Sequence, residues 1–277
     1  MSRSHEVVSE IERRHIISLL DHGKRFDGRT LKQIRPLEIE AGLIVKAEGS
    51  ARVKLGNTQV MVGVKTGVGP PFPDTPDQAV FTTTAEFIPL ASPTFEPGPP
   101  SENAIELARV VDRGIRESKG IDIKSETMVF IPGEKVRILF LDIYILDYDG
   151  NLFDASALGA AAALLNAKIK KGEVNAETGE VELLDELIPL PLEKEKIPVS
   201  TTFARIGQYK IIDPCRAEER VMDTRITFGV TAEGNIVAAQ KGESGYFPYE
   251  EILDLSKLAQ EKAPKLHEFL RSEMVKL

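Results

Sequence analysis

The segment LDIYILDYDGNLFDASALGAAAALL, residues 141–165, decides the fold. It opens with an apolar run that is typical of a strand, and from Ala155 onward its small residues predict a closely packed helix, which we expect over 155–169. The residues DYDGN between them form a turn. A strand-turn-helix junction presents free backbone N–H groups at the start of the helix and is a natural seat for phosphate.

The charges of this turn argue against a bound phosphate. Asp147, Asp149 and Asp154 surround it, and a carboxylate roughly 6 Å away opposes an anion by up to about 3 kcal/mol at an effective dielectric near ~20. The helix start offsets only about 0.3–1 kcal/mol, and residues 150–152 supply no cation. We therefore interpret the segment as a structural helix, unless a metal ion bridges the aspartates.

Strands followed by a helix occur twice along the chain. Amphipathic strands between residues 34 and 66 precede a helix at 101–118, and further strands precede a long helix at 248–276, which Pro264 should kink or divide. We predict an α+β fold, a duplication in which two sheet-plus-helix halves pack around central helices.

This reading divides the chain into three parts. Residues 1–24 form an N-terminal helix, because Val7, Val8 and later apolar residues recur at near-helical spacing. Residues 25–195 form the first half, with its central helix and an acidic hairpin, and residues 196–277 form the second half with the C-terminal helix.

Composition limits the possible functions. The formal net charge of −8 disfavours nucleic acid on an arbitrary face, so any RNA needs a local basic patch or a basic partner. The single cysteine and four histidines show no zinc spacing, and the sequence indicates no cofactor. The longest small-apolar run is too short to span a bilayer, so we expect a soluble cytoplasmic protein.

Three arginines could form such a basic patch. Arg109, Arg113 and Arg116 follow spacings of four and three, which place them along one edge of the polar face of the helix at 101–118. The stripe could follow a phosphodiester backbone or could be an ordinary solvated face, and the residues alone do not favour either reading.

The segment IIDPCRAEERVMD, residues 211–223, is the second candidate for chemistry. Asp213 ends a strand, and three further acids follow at 218, 219 and 223. Converging carboxylates could hold Mg²⁺ or act as a general acid, but we favour acids at a helix start paired with Arg216 and Arg220. Cys215 is interpreted as a free thiol.

Taken together, these motifs resemble the RNase PH family over about residues 10–270. The resemblance rests on RFDGR (25–29), EGSARVKLGNTQVMVGVK (48–65), FEPGPPSENAIELARVVDRGIRESKGID (95–122) and the segment from residue 141, all in the family's order. Within the family, the chain is most similar to the non-catalytic RNase-PH-like subunits of archaeal exosomes. The resemblance implies a duplicated β-α-β fold of the ribosomal-protein-like type.

The resemblance also implies a degenerate catalytic site. Active members cleave RNA from its 3′ end with inorganic phosphate, seated on a Gly-Ser-Arg turn that corresponds here to Gly150, Asn151 and Leu152. An arginine pair of active members is replaced by PPSEN, whereas Asp213 and Glu219 keep the six-residue spacing of two catalytic acids. These positions are expected to be remnants without phosphorolytic activity and without a metal ion.

The partners that the resemblance implies belong to a ring. Three copies would alternate with three copies of the catalytic paralogue in a hexamer, a trimer of heterodimers, with RNA-binding cap subunits above and single-stranded RNA in the pore. Arg113 and Arg116 would contact RNA, with Arg109 as a further candidate. An active phosphorolytic exoribonuclease and a free-standing RNA-binding protein remain as alternatives.

Overall fold

The first described element is a helix that packs beside the second half of the chain. The structure is a computed structural model that describes residues 10–175 and 177–275. Helix α1 covers Glu10–Asp21 and buries Ile16 and Leu20. It is followed by Gly23 at φ 69°, the left-handed stop that the sequence predicts. Val7 and Val8, which the predicted helix includes, lie outside the described residues.

The first half is built on a six-stranded sheet in the order β1-β2-β3-β6-β4, with β5 paired to β6. Strand β4 runs parallel to β6, and the other pairs are antiparallel. Helix α2 covers Glu102–Ser118 and packs against β4. The strands are β1 (Leu37–Ala41), β2 (Gly49–Leu55), β3 (Thr58–Gly69), β4 (Val80–Phe87), β5 (Val129–Ile131) and β6 (Lys135–Asp147).

Helix α3, Leu152–Leu165, is the central helix of the molecule. It packs against β2 and β3 of the first sheet and against the second half of the chain. Twelve of its residues are buried, because alanines and Gly159 allow close approach on several sides. The predicted bounds of 155–169 are wrong: the helix starts three residues earlier, where Asn151 caps it, and residues 168–174 belong to a strand.

The second half holds a four-stranded antiparallel sheet in the order β10-β9-β11-β12. A separate hairpin of β7 and β8 precedes it, where the acidic hairpin is expected. Pro264 was expected to kink or divide helix α5; the helix is continuous through Pro264, so it is not divided there. The elements are β7 (Lys168–Val174), β8 (Val181–Pro189), β9 (Val199–Ile206), β10 (Tyr209–Ile212), α4 (Arg216–Val221), β11 (Thr224–Val230), β12 (Ile236–Gly242) and α5 (Tyr249–Met274).

One large hydrophobic core joins the two halves and confirms the predicted α+β class. It includes residues of both sheets, of α2 and α3, and of α5. A smaller cluster lies between α1 and the β9–β10 edge. Among the described helices, none is both long and apolar enough to cross a bilayer.

Candidate functional site

The turn at the start of α3 packs directly on the turn at the start of α4. Gly150 and Asn151 both take positive φ, at 88° and 53°. A Cβ at Gly150 would lie 2.5 Å from the backbone of Cys215, so only glycine permits this contact. The backbone N–H of Arg216 donates to Asp149 O at 3.0 Å. The two candidate motifs of the sequence therefore form one site.

A carboxylate of the chain itself accepts a hydrogen bond from the backbone N–H group at the start of α3. Glu219 Oε1 accepts from the backbone N–H of Asn151 at 2.8 Å, and Glu219 Oε2 accepts from the Tyr148 hydroxyl at 2.8 Å. Burial raises the pKa of Glu219, although these hydrogen bonds and nearby arginines oppose the shift. An anion from solution would have to displace Glu219 from this N–H group.

The second acid, Asp213, is fully enclosed by cations. Arg35 donates to it from Nε, from Nη2 and from its backbone N–H at 2.8–3.0 Å, and Arg29 Nη1 lies at 2.8 Å. Asn151 Nδ2 adds a hydrogen bond at 2.7 Å. Burial opposes ionisation, but the bonds and charge of Arg35 outweigh it and lower the pKa of Asp213. Asp213 therefore remains an ionised structural anchor that a substrate cannot reach.

Asp154 completes this cluster from the first turn of α3. Thr202 donates to it from its backbone N–H at 3.0 Å and from its hydroxyl at 2.7 Å, and Asn151 Nδ2 donates at 2.8 Å. Burial raises its pKa to about 7, and the charge of Asp213 acts in the same direction. Asn151 thus bridges the two carboxylates with its two amide hydrogens.

The arginines that serve this cluster are a feature that the sequence reasoning missed. Arg25 forms a bidentate pair with Glu218, and both side chains are fully buried. This pair replaces the local pairing with Arg216 and Arg220 that we expected for Glu218. The available signal was three arginines, Arg25, Arg29 and Arg35, in the short loop ahead of β1 of an acidic chain.

In the part of the chain that the structure describes, neither a reactive thiol nor a metal-binding cluster accompanies these acids. Cys215 is buried, and burial raises the pKa of its thiol to about 12, so it stays protonated and unreactive. Within residues 10–175 and 177–275, no group of three His, Cys, Asp or Glu side chains is arranged to hold a metal ion.

A cleft of about 730 Å³ opens in front of Glu219. One wall is the PPSEN segment without its glutamate. Another is an aromatic row in which the rings of Phe87 and Phe95 lie 4.8 Å apart and those of Phe95 and Tyr148 5.3 Å apart. Among the described residues, the charged side chains around it are four glutamates and two arginines: Glu86, Glu96, Glu219, Glu243, Arg216 and Arg220. This surplus of acid is unfavourable for a polyanion.

A second opening of about 810 Å³, the arginine groove, brings the three predicted arginines together. It lies along α2, between the edge strand β4 and Gln240 of the edge strand β12. Arg109, Arg113 and Arg116 all line it, together with Phe72 and Ile105.

The three arginines differ in the partners that their guanidinium groups have within the chain. Arg116 is paired with Asp112 at 2.9 Å and also donates to Phe81 O. Arg113 donates to two neutral acceptors, Gln240 Oε1 at 2.7 Å and Ala239 O at 3.1 Å. Arg109 is exposed, and its side chain has no hydrogen-bond partner in the described part of the chain.

Two models of one protein family match consecutive parts of the chain. The 3′ exoribonuclease family, RNase PH, matches with its domain 1 over residues 33–170 and with its domain 2 over residues 196–262. Both parts of the site lie inside these matches, the turn at 150–152 in the first and Asp213 with Glu219 in the second.

Relatives and solved structures of similar length agree with these matches. The chain is 56% identical over 265 residues to the exosome complex component Rrp42 of Pyrococcus abyssi, covering 96% of this chain and 95% of that protein. It is 49% identical over 270 residues to the component of the same name from Methanothermobacter thermautotrophicus, covering 97% of both. A chain of the Archaeoglobus fulgidus exosome with RNA bound to the active site superposes with a TM-score of 0.83 at 47% identity, covering 93% of this chain and 97% of that one.

Proposed function

Because this chain belongs to the RNase PH family of 3′ exoribonucleases, as its motifs predict, we propose that it is a non-catalytic, RNA-contacting subunit of an archaeal exosome. In this role it completes the active-site cleft of a catalytic paralogue and helps to hold RNA for 3′-to-5′ degradation. The two proteins of similar length that carry the name exosome complex component support the assignment to an exosome.

The observation that carries the non-catalytic reading is the carboxylate of Glu219 on the Asn151 N–H group. A phosphorolytic site has to seat inorganic phosphate beside the scissile bond, and the start of a helix is its natural seat. Here an internal anion holds that seat, tethered to the same molecule and also bonded to Tyr148. Leu152, where active members carry an arginine of the seat, is fully buried in the core.

The other candidate acid, Asp213, is not placed to act as a general acid. A general acid must lie within hydrogen-bond distance of the substrate atom that accepts its proton. The carboxylate of Asp213 has no exposed surface and is bonded by Arg29, Arg35 and Asn151. Asp213 and Glu219 keep the spacing of catalytic acids, and both serve to join α3 to the second half of the chain.

The RNA-contacting part of the role belongs to the arginine groove. Arg109 and Arg113 present charge with which no carboxylate of the described residues is paired, in an open groove of about 810 Å³. Arg116 contributes less charge, since Asp112 pairs with it. A local basic groove on an acidic chain is what a subunit needs when it touches RNA on one face only.

The partners follow from the same assignment. The chain would alternate with its catalytic paralogue in a hexameric ring, a trimer of heterodimers, with RNA-binding cap subunits on one side of the pore and single-stranded RNA passing through it. Such a particle would work in the cytoplasm. The similarity to a chain of a solved archaeal exosome core supports a place in such a core.

The test of the proposal compares the chain alone with the reconstituted particle. The purified chain, incubated with single-stranded RNA, phosphate and Mg²⁺, should release no nucleoside diphosphate, whereas the chain mixed with the catalytic paralogue should form a ring-sized particle that does. Release of nucleoside diphosphates by the chain alone would establish an active exoribonuclease instead. A chain that stays monomeric beside the paralogue would be a free-standing RNA-binding protein.

The role of the groove in holding RNA is tested on the same particle with charge variants. Arg109→Gln with Arg113→Gln should leave the mass of the ring unchanged and slow RNA degradation. It should also reduce the slope of log affinity against log salt by about 0.7 for each phosphate that the variant no longer neutralises. Lys124→Gln with Lys170→Gln is the matched control, because both are exposed cations outside the groove and this variant also removes two charges. Equal degradation rates for the Arg109/Arg113 variant and the control would contradict the assignment.

A further inference from the structure

An aromatic side chain is exposed inside the arginine groove. Phe72 is 52% exposed in the GPPFPD segment, residues 69–74, which connects β3 to β4. Exposing about half of a phenylalanine costs apolar burial that the fold could otherwise gain. Phe72 lines the same groove as Arg109 and Arg113.

The segment that carries Phe72 is held stiffly. Prolines at 70, 71 and 73 fix half of its φ angles. The backbone N–H of Thr75 donates to Phe72 O at 3.0 Å, and the N–H of Gly133 donates to Pro76 O at 2.8 Å. A ring presented on such a segment loses little conformational entropy when a ligand covers it.

The charges around the ring favour an anionic ligand. Of the three acids that line the groove, Glu106 pairs with Arg225 at 2.7 Å and Asp112 pairs with Arg116. This leaves Arg109 and Arg113 against Glu102, which lies almost two helical turns from Arg109, roughly 10 Å along the axis. Counting Arg225, the described residues of the groove therefore carry one positive charge in excess beside an exposed aromatic face.

We propose that Phe72 is a stacking platform for one base of single-stranded RNA whose neighbouring phosphates are bound by Arg109 and Arg113. This inference rests on the proposed function and adds to it a residue that contacts a base of the RNA and not its phosphate backbone. Every base has a π-face, so stacking on an aromatic ring contributes affinity without strict sequence specificity. Larger purine rings overlap a phenyl ring better than pyrimidines do, which predicts tighter binding of oligoadenylate than of oligouridylate.

The alternative occupant of this groove is a protein segment of a neighbouring subunit. An apolar partner would bury Phe72 and Ile105 equally well, but it would leave the charges of Arg109 and Arg113 without compensation. The charge excess is therefore the reason to favour RNA, and the protein contact becomes an outcome of the test.

The test uses the ring reconstituted with the catalytic paralogue, in phosphate-free buffer so that no turnover occurs. Phe72→Leu keeps the apolar volume and removes the aromatic face, and Phe72→Trp keeps a face for stacking. The probes are fluorescently labelled 12-nucleotide oligoadenylate and oligouridylate. Affinity is measured at several salt concentrations, and the mass of each ring is determined.

Phe72→Leu should weaken oligoadenylate binding by about 5- to 150-fold, reduce the preference for adenylate, and leave the salt slope unchanged. Phe72→Trp should bind at least as tightly as the wild type. If Phe72→Leu binds like the wild type while Arg109→Gln lowers the salt slope, the stacking role is wrong and the proposed function stands. If neither Phe72→Leu nor Arg109→Gln changes binding, both the stacking role and the RNA contact of the proposed function are wrong. If Phe72→Leu dissociates the ring, the groove is a protein interface.

Discussion

At the scale of single residues, the start of α3 shows how a buried acid can be kept without a catalytic role. Asp154 lies between the Asn151 amide and Thr202, and burial raises its pKa to about 7. Its neighbour Asp213 is instead paired with Arg35 and has a lowered pKa, because the charge and hydrogen bonds of Arg35 outweigh burial. The pKa values of two aspartates bridged by one asparagine are therefore shifted in opposite directions, according to which of them faces the arginines.

The raised pKa of Asp154 makes a prediction about stability and pH. The native state keeps its proton up to about pH 7, whereas the unfolded chain releases it near its ordinary value of roughly 3.9. The native state therefore binds more protons in this window, and the contribution of Asp154 to stability falls as pH rises from about 4 to 7. Asp154→Asn should remove this dependence, so its melting temperature relative to the wild type should rise by several degrees between pH 5 and 8.

Thermal unfolding at pH 5, 6, 7 and 8 provides the measurement. Asp185→Asn is the control: Asp185 is exposed, and its pKa is lowered by the hydrogen bond from Lys170, so its variant should not gain stability toward high pH. A constant difference between Asp154→Asn and the wild type across these pH values would show that Asp154 titrates normally.

The sequence allowed part of this site to be predicted. The turn at 150–152 and the acids Asp213 and Glu219 were found, because turn residues and family spacing are local signals. The bond from Asn151 to Glu219 joins residues 68 positions apart, and the bond from Arg35 to Asp213 joins residues 178 apart. Only the packing of the two halves sets such partners, so periodicity and motif spacing could not reveal them.

At the scale of elements, the alternation of apolar residues predicted most strands, and small residues predicted α3. The start of α3 was placed three residues late, because the run of small residues begins at Ala155 whereas Asn151 already caps the helix. Pro264 was expected to kink or divide α5, and it does not divide it: the helix is continuous over Tyr249–Met274, since its packing against β1, β9 and β11 outweighs the local preference. Local propensity set the type of each element, whereas capping at α3 and tertiary packing at α5 set the bounds.

The packing of α3 on the first sheet leads to a prediction about two glycines of that sheet. A Cβ at Gly49 of β2 would lie 2.2 Å from Ala163 O of α3, whereas a Cβ at Gly63 of β3 would meet nothing within 4 Å. Gly49→Ala must therefore move the helix backbone and should cost about 1–3 kcal/mol. Gly63→Ala should be neutral within about 0.5 kcal/mol, and it serves as the matched control in denaturant unfolding. Equal stabilities of the two variants would show that α3 can shift away from β2 at no cost.

At the scale of the whole molecule, the acidic chain repels RNA at long range, whereas the basic groove attracts it at short range. The formal net charge is −8, and the arginine groove holds only a small local excess of positive charge. Long-range repulsion acts over the Debye length, roughly 30 Å at 0.01 M salt and ~10 Å at 0.1 M. Local contacts weaken with salt, whereas this repulsion is relieved by it, so the salt dependence of RNA binding by the chain alone should be shallower than its phosphate contacts imply.

Acids outside the groove should therefore slow RNA association without touching the RNA. Glu177, Glu180 and Glu182 lie on the β7–β8 hairpin and do not line the arginine groove. Replacing all three with Gln removes three negative charges and brings the formal net charge from −8 to −5. The association rate constant of a labelled 12-nucleotide RNA, measured by stopped flow, should rise several-fold at about 0.01 M salt and equal that of the wild type at about 0.5 M. A gain that persists at high salt would instead mean that the hairpin contacts RNA directly, because screening removes long-range repulsion before it removes a contact.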